Sequence, residues 1–403
     1  MDFSPSPTAV RLAEQAEQFI ETEIRPIESD YFAAIALDPN TIPPIVEELK
    51  AKAKAAGLWN LFLPDPNWGA GISNVDYAPV AEITGMALPL APEIFNCNAP
   101  DTGNAEVLVH YGSGEQQEQW LVPLLAGEIR SAFCMTEPAV ASSDAANIAA
   151  TAHVVGDKVI LNGKKWWSTG IAHPNCQFVI FMGVTDPDAH KYQRHSMVLV
   201  PLNTPGVEYG ELLSTFGYFD EPYGHGVVTF DNVELPASAI IAGPGRGFEI
   251  AQGRLGPGRI HHCMRMIGLA ERALTLACER GLSREAFGKP IVNLGGNRER
   301  IAEARLAIDQ ARLLVMRAAW LLDTHGVQGA RTEVSAIKAV VPRMTCDIID
   351  MAIQMYGGAG MSAQTPLAEM YAGARSLRLA DGPDEVHLGM VSRAELQKHG
   401  ASR

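Results

Sequence analysis

The feature that most constrains this chain is a double change of periodicity: helical spacing, then β-branched and aromatic alternation, then helical spacing again. From about Thr8 to Gly127, Val10, Leu12, Ala13, Ala16, Phe19 and Ile20 recur at helical intervals until Arg25-Pro26 stops the run. Pro43-Pro44 opens a second helix carrying Ile45, Val46, Leu49 and Ala53 towards Gly57, and Glu115 to Glu128 reads as a third amphipathic piece. Leu63 to Gly71, rich in Pro, Gly, Trp and Asn, reads as a loop. From about Ser131 to Pro236 the period changes. Val159-Ile160-Leu161 and Lys165-Trp166-Trp167-Ser168 flank Asn162-Gly163, which predicts a hairpin turn, and further strands are predicted at Phe178 to Val184, Met197 to Leu202 and Gly226 to Phe230.

From Gly247 onward long helices return. Ser335 to Tyr356 sets Lys338, Arg343, Asp347, Asp350 and Gln354 on one side and Ile337, Val340, Val341, Met344, Ile348, Ile349, Met351 and Ile353 on the other, with a kink predicted at Pro342. In Ile301 to Leu322 two narrow polar lines, Glu303/Gln310/Arg317 and Arg305/Asp309/Arg312, leave apolar surface on two sides, as in a helix buried on both flanks inside a bundle. The fold class read from this order is α+β, mainly α: an N-terminal helical domain over 1–130, a small central β-barrel or sheet domain over 131–240, and a C-terminal four-helix bundle over 241–403.

Composition excludes several functions. A formal charge of −14 and no run of more than two Lys/Arg leave no electrostatic footprint for nucleic acid. No apolar run approaches ~18 residues, and the first apolar segment is interrupted by Arg11, Glu14, Glu17, Glu21 and Glu23, so neither a membrane span nor a secretion signal is expected. Cys97, Cys134, Cys176, Cys263, Cys278 and Cys346 are scattered without a CxxC pair and read as free thiols of a cytoplasmic protein. His261-His262-Cys263 is no metal site by spacing, because adjacent helical residues point apart and zinc needs at least three convergent ligands; no metal is expected. Gly243-Pro244-Gly245-Arg246-Gly247 lacks the spacing of a phosphate loop and reads as an ordinary entry to a helix.

The stretch that carries chemistry is Leu379-Ala380-Asp381-Gly382-Pro383-Asp384-Glu385-Val386-His387, carboxylates on a Gly-Pro turn beside an arginine-rich helix. A carboxylate that takes a carbon-bound proton needs a rigid backbone and partial shielding from water. Asp381 is the candidate base; the plain alternative is a solvated acidic turn.

Five blocks then occur in one order: Phe133-Cys134-Met135-Thr136-Glu137-Pro138 with Ala141-Ser142-Ser143-Asp144; Asn162-Gly163-Lys164-Lys165-Trp166-Trp167-Ser168-Thr169; Gly268-Leu269-Ala270-Glu271-Arg272-Ala273; Arg284-Glu285-Ala286-Phe287-Gly288-Lys289; and Gln354-Met355-Tyr356-Gly357-Gly358-Ala359-Gly360. Together they resemble the acyl-CoA dehydrogenase family of flavoproteins over nearly the full length. The Asp381 block and the stretch Gln252 to His262 resemble one subgroup, which in vertebrates is fused to an aminoglycoside-phosphotransferase-like domain. The resemblance implies FAD, with Phe133, Met135 and Thr136 at the pyrimidine side, Ser142 beside them, Thr169 at N5 and Trp167 over a ring face. Arg284, Phe287, Gln354, Gly357 and Gly358 match positions that hold the pyrophosphate and adenine across a subunit boundary, which implies a homodimer or homotetramer.

By the same resemblance Asp381 stands where the family's base is usually Glu. Its carboxylate reaches roughly 1.5 Å less far. Other members place the base on the helix after the β domain; here that position is Gly258, before Arg259, so Asp381 is the candidate by position. Asp384 and Glu385 are expected to raise its basicity by repulsion. Ala380 replaces a bulky aromatic and implies a wider acyl pocket, with Arg259 and Gly382 also on the substrate side; Pro383 replaces a hydroxyl residue that touches FAD. The implied reaction, of the kind found in fatty-acid β-oxidation, is removal of the pro-R α-proton of an acyl-CoA by Asp381 while the β-hydrogen leaves as hydride to flavin N5, giving a trans-2-enoyl-CoA. The thioester oxygen would receive hydrogen bonds from the ribityl 2′-hydroxyl and the Asp381 N–H. Electron-transfer flavoprotein is the implied electron acceptor. Two other readings are a flavin oxidase of the nitroalkane oxidase type, which also uses an aspartate base, and a non-catalytic acyl-CoA-binding homologue.

Overall fold

The computed structural model describes residues 4–400. In chain order the elements are α1 (Pro7–Phe19), α2 (Glu28–Leu37), α3 (Pro44–Ala55), α4 (Asn74–Gly85), α5 (Leu90–Ile94), α6 (Asp101–Tyr111), α7 (Gly114–Gln116), α8 (Val122–Ala126), seven strands, α9 (Gly247–Ser283), a short hairpin, α10 (Asn297–Tyr356), α11 (Leu367–Ser376) and α12 (Asp384–Lys398). The chain divides into two compact units. One comprises Ile27–Gly71 and Glu93–Gly258, the other the segments up to Pro26, Ile72–Pro92 and from Arg259 onward.

The first unit is built on a seven-stranded sheet. Strands β1 (Arg130–Cys134), β2 (Thr151–Val155), β3 (Lys158–Thr169), β4 (Cys176–Val184), β5 (His195–Pro201), β6 (Val207–Leu213) and β7 (His225–Pro236) run in the order β1-β4-β2-β3-β7-β6, with β5 also on β4. Ala132, Val159, Leu161, Val179, Phe181, Val198, Val228, Phe230 and Val233 fill its core, as alternation places them. The predicted strands stand. The predicted hairpin does not: β3 runs straight through Asn162-Gly163, and the turn lies upstream, between Val155 and Lys158. Gly163 sits at a bulge against β7, with φ +148, where a Cβ would come 2.5 Å from that of Ala150. An Asn-Gly pair answers a demand for a left-handed or crowded backbone, and a bulge makes that demand as readily as a turn.

Under the sheet lies a buried ionic network. Glu93 takes Lys50 at 2.6 Å and Arg130 at 2.5 Å, and accepts the Tyr223 hydroxyl at 2.9 Å. Burial alone would raise its carboxyl, but Arg130 and Lys50 hold it well below the usual range. Ser113 and Gln116 form a capping box at α7. The predicted amphipathic piece after it is three short segments, Gly114–Gln116, a π turn Gln117–Leu121, and Val122–Ala126 beginning next to Pro123.

In the second unit Asp323 caps α4, accepting the Asn74 and Val75 N–H groups at 3.0 Å, and Arg312 bridges Glu82 of α4 and Glu271 of α9 at 2.7 and 2.6 Å. The helical reading of 301–322 and 335–356 stands, with two corrections. A break in helical dihedrals inside α10 lies at Gly326 (φ 67°, ψ −176°), and Pro342 is buried within the helical run. Lys338 is buried and donates to the Leu377 carbonyl, because a long stem reaches the cap of a neighbouring segment. In the first limb Ala304, Ile308, Ala311, Val315 and Ala318 are buried, whereas Leu306 and Leu313 on the other apolar side are exposed, so only one flank is covered.

Candidate active site

On the sheet unit, Phe133 and Cys134 end β1, which leads into Met135-Thr136-Glu137. Glu137 and Lys165, 5 % and 0 % exposed, meet at 2.7 Å, and the Lys165 ammonium also donates to the Met135 carbonyl at 3.0 Å and the Met182 carbonyl at 2.7 Å. The Glu137 carboxylate accepts the Ala149 and Ala150 N–H groups, each at 3.0 Å. This pair pins the 135–137 segment to the sheet, and the Trp166 N–H donating to the Thr136 carbonyl at 3.0 Å pins it a second time. Ser142 accepts the Glu137 N–H at 2.9 Å, so its hydroxyl is engaged in shaping this loop.

Trp167 lies where the β3–β7 register slips between Lys165 and Ser168, and it takes φ +52° while its ring stays 40 % exposed. A bulky residue in the left-handed region carries strain of order 1–3 kcal/mol that the surrounding sheet must hold, and such strain gathers at functional places. Two residues on, the Thr169 hydroxyl lies 2.9 Å from Nδ1 of His225, its cross-strand partner. Arg254, on the first turns of α9, stacks its guanidinium 3.9 Å over the Phe133 ring and donates to Asn104 at 3.1 Å. Nearby, burial pushes the Glu106 carboxyl up to about 8, against the pull of Arg254.

On the helical unit, Asp381 and Gly382 form the turn between α11 and α12. Asp381 has φ +57° and Gly382 φ +105°, where a Cβ would lie 2.9 Å from His387 Nε2; glycine is required there. The Asp381 carbonyl accepts from Arg259 Nε at 2.9 Å and faces His387 Nε2 at 3.3 Å. Burial, with Arg259 and Lys338 close by, pulls His387 down to about 4, so it serves as a neutral donor. The carboxylate, 19 % exposed, faces His262 Nε2 at 3.7 Å. Arg378 holds Asp384 at 2.9 and 2.7 Å, and Arg259, His262, Lys338 and His387 stand near Asp381. Ala380 is exposed beside it.

Arg284 and Phe287 frame the hairpin β8 (Glu285–Ala286) and β9 (Lys289–Pro290), whose two turn residues, Phe287 and Gly288, have φ +51° and +76°. Phe287 is 94 % exposed at the tip. Gln354, Gly357 and Gly358 are exposed at the end of α10, with open space where side chains on the two glycines would stand. Open glycine backbone, an exposed aromatic tip and an arginine suit a pyrophosphate and an adenine, and the strained Trp167 with Thr169 suits an isoalloxazine. Sequence reasoning missed Lys165, His225, Arg254, His262 and His387. A Lys inside an apolar strand was a signal for the first; the histidines carried none, since no periodicity or motif spacing singles out their partners. Among the described residues no group of three His, Cys, Asp or Glu could hold a metal, and no helix is long and apolar enough to cross a membrane. All six cysteines are free.

The left-handed Trp167 beside the Thr169 hydroxyl at the end of β3 is an arrangement suited to the flavin of a flavin-dependent dehydrogenase. The chain belongs to the acyl-CoA dehydrogenase family, whose N-terminal, middle and C-terminal domain models match residues 6–128, 132–233 and 245–396. It is 50% identical to "Probable acyl-CoA dehydrogenase FadE2" of Mycobacterium tuberculosis over 99% of this chain and 98% of that protein. It is 53% identical to mouse "Acyl-CoA dehydrogenase family member 10" over 97% of this chain, spanning 37% of that longer protein. The solved structure of a putative acyl-CoA dehydrogenase from Mycobacterium abscessus superposes with a TM-score of 0.95 at 61% identity, over 98% of this chain and all of the other. The family depends on FAD.

Proposed function

We propose that this chain dehydrogenates an acyl-CoA thioester between Cα and Cβ, with Asp381 as the base that takes the α-proton. The observation that carries this reading is the clamped, left-handed turn at Asp381: Arg259 and His387 hold its carbonyl, so the carboxylate is presented on a backbone that does not yield. FAD, when bound, supplies the acceptor for the β-hydride. Thr136, Met135 and Phe133 would hold its pyrimidine edge, Trp167 a ring face and Thr169 the N5 region, and Lys165 with Glu137 keep that segment in place. Arg284, Phe287, Gln354, Gly357 and Gly358, all exposed within one chain, support binding of the adenine half together with a second copy. Arg259, Ala380 and Gly382 stand on the substrate side, and Ala380 leaves room for a branched or hydroxylated acyl group. Electron-transfer flavoprotein as acceptor and a cytoplasmic, homo-oligomeric enzyme of fatty-acid breakdown complete the proposal; the free cysteines support the compartment.

The test is anaerobic mixing of the yellow protein with short, medium, long, 2-methyl and 4-hydroxy acyl-CoAs, following flavin bleaching. Asp381→Asn should slow bleaching by about 10²–10⁴-fold, the usual worth of a general base, while leaving FAD bound. Undiminished bleaching in the variant would remove Asp381 from the role. Rapid oxygen uptake by the reduced protein without an electron-transfer protein would turn the reading to the oxidase.

A further inference from the structure

His225 lies outside the five sequence blocks that carry the resemblance, yet its imidazole faces polar groups of the sheet unit on both sides. Nδ1 is 2.9 Å from the Thr169 hydroxyl, Nε2 is 3.7 Å from an oxygen of Asp220, and the ring centroid is 5.6 Å from that of Trp167. Leu213, its neighbour on β6, adds no titratable group. Burial pulls the imidazole down to about 4, so at neutral pH it is uncharged and carries one ring proton. The protein crowded around Asp220 pushes its carboxyl up to about 7, yet 43 % of its side chain still meets solvent, and that water favours the ionised form.

A carboxylate beside Nε2 selects the tautomer protonated there, which leaves Nδ1 an acceptor. The Thr169 hydroxyl has one proton. Given to Nδ1, it leaves Oγ1 presenting lone pairs on its other side. Oxidised flavin has an accepting N5, whereas reduced flavin has a donating N5–H, so the two redox states ask opposite things of this hydroxyl.

We propose that Asp220 and His225 act as positioning residues that orient the Thr169 hydroxyl as an acceptor and thereby favour reduced over oxidised flavin. The inference rests on the placement of Thr169 at N5. It predicts an Nε2–H tautomer for His225 in the FAD-free protein, visible in the ¹⁵N shifts of selectively labelled histidine and assigned by its loss in His225→Leu. In the holoprotein, Asp220→Asn and His225→Leu should lower the two-electron midpoint potential, by an amount matching an approximately tenfold loss of preference for reduced flavin, about 30 mV. Asp220 is exposed, so its variant serves if His225→Leu fails to fold. The controlling experiment is the ¹⁵N5 shift of bound, labelled FAD. If Thr169→Ala leaves that shift unmoved, the placement of Thr169 at N5 has failed. If Thr169→Ala moves it while Asp220→Asn leaves both shift and potential unchanged, or if His225 proves to be the Nδ1–H tautomer, the inference alone is overturned.

Discussion

Lys165→Met should strike the fold and the flavin half of the site through one residue. The ammonium is fully buried and makes three bonds, to Glu137 at 2.7 Å and to the carbonyls of Met135 and Met182 at 3.0 and 2.7 Å. Methionine replaces the stem at nearly the same volume, so the packing term is small. What remains is a Glu137 carboxylate, 5 % exposed, with only the Ala149 and Ala150 N–H groups to neutralise it. Leaving one partner of a buried ion pair uncompensated costs about 3–5 kcal/mol. That is a large share of the roughly 5–15 kcal/mol of a typical protein. Adding Glu137→Gln removes the stranded charge, so the double variant should recover about 1–2 kcal/mol of the loss. Urea unfolding followed by tryptophan fluorescence measures the stability, and titration of apoprotein with FAD measures the second consequence, a weaker site because Met135 and Thr136 lose their anchor. A loss below about 1 kcal/mol in Lys165→Met, or a double variant less stable than the single one, would refute the reasoning.

Glu106→Gln should separate burial from charge: a folded pKa near 8, above the ordinary 4.5, means stability is complete below pH 4.5 and is lost as pH rises towards 8. The variant should match the parent at pH 4 and exceed it at pH 8 by at least about 1 kcal/mol, with roughly 5 as the ceiling, in paired denaturant titrations. Gly382→Ala places a methyl 2.9 Å from His387 Nε2 at φ +105°; it should cost about 1–3 kcal/mol and slow flavin reduction in stopped flow while FAD affinity holds. Phe287→Gly relieves a left-handed phenylalanine, so unfolding should show no loss of stability, yet FAD binding by calorimetry should weaken about tenfold if the exposed ring serves the cofactor.

How much of this was legible in the sequence follows from the range of the forces involved. Helices in 301–322 and 335–356 and the strands around Phe178, Met197 and Gly226 declare themselves by side-chain period, a property of neighbours in the chain. The role assigned to Asn162-Gly163 was misplaced because a bulge and a turn make the same local demand and differ only in what lies across the sheet, here Ala150 and β7. Lys338 was set on the polar side of its helix by spacing; its burial depends on the Leu377 carbonyl, 39 residues away.

The sequence alone determined the order of helical and sheet segments and the blocks that mark the family, since each rests on side-chain period or short spacing. Only the tertiary structure decided which groups meet: Arg378 pairs with Asp384, Arg259 and His387 clamp the turn at Asp381, Lys165 anchors the segment of Met135 and Thr136, and His225 meets the hydroxyl of Thr169. Electrostatic and hydrogen-bond partners are fixed by distances of a few ångströms between residues from six to more than a hundred positions apart, and no periodicity along the chain records them.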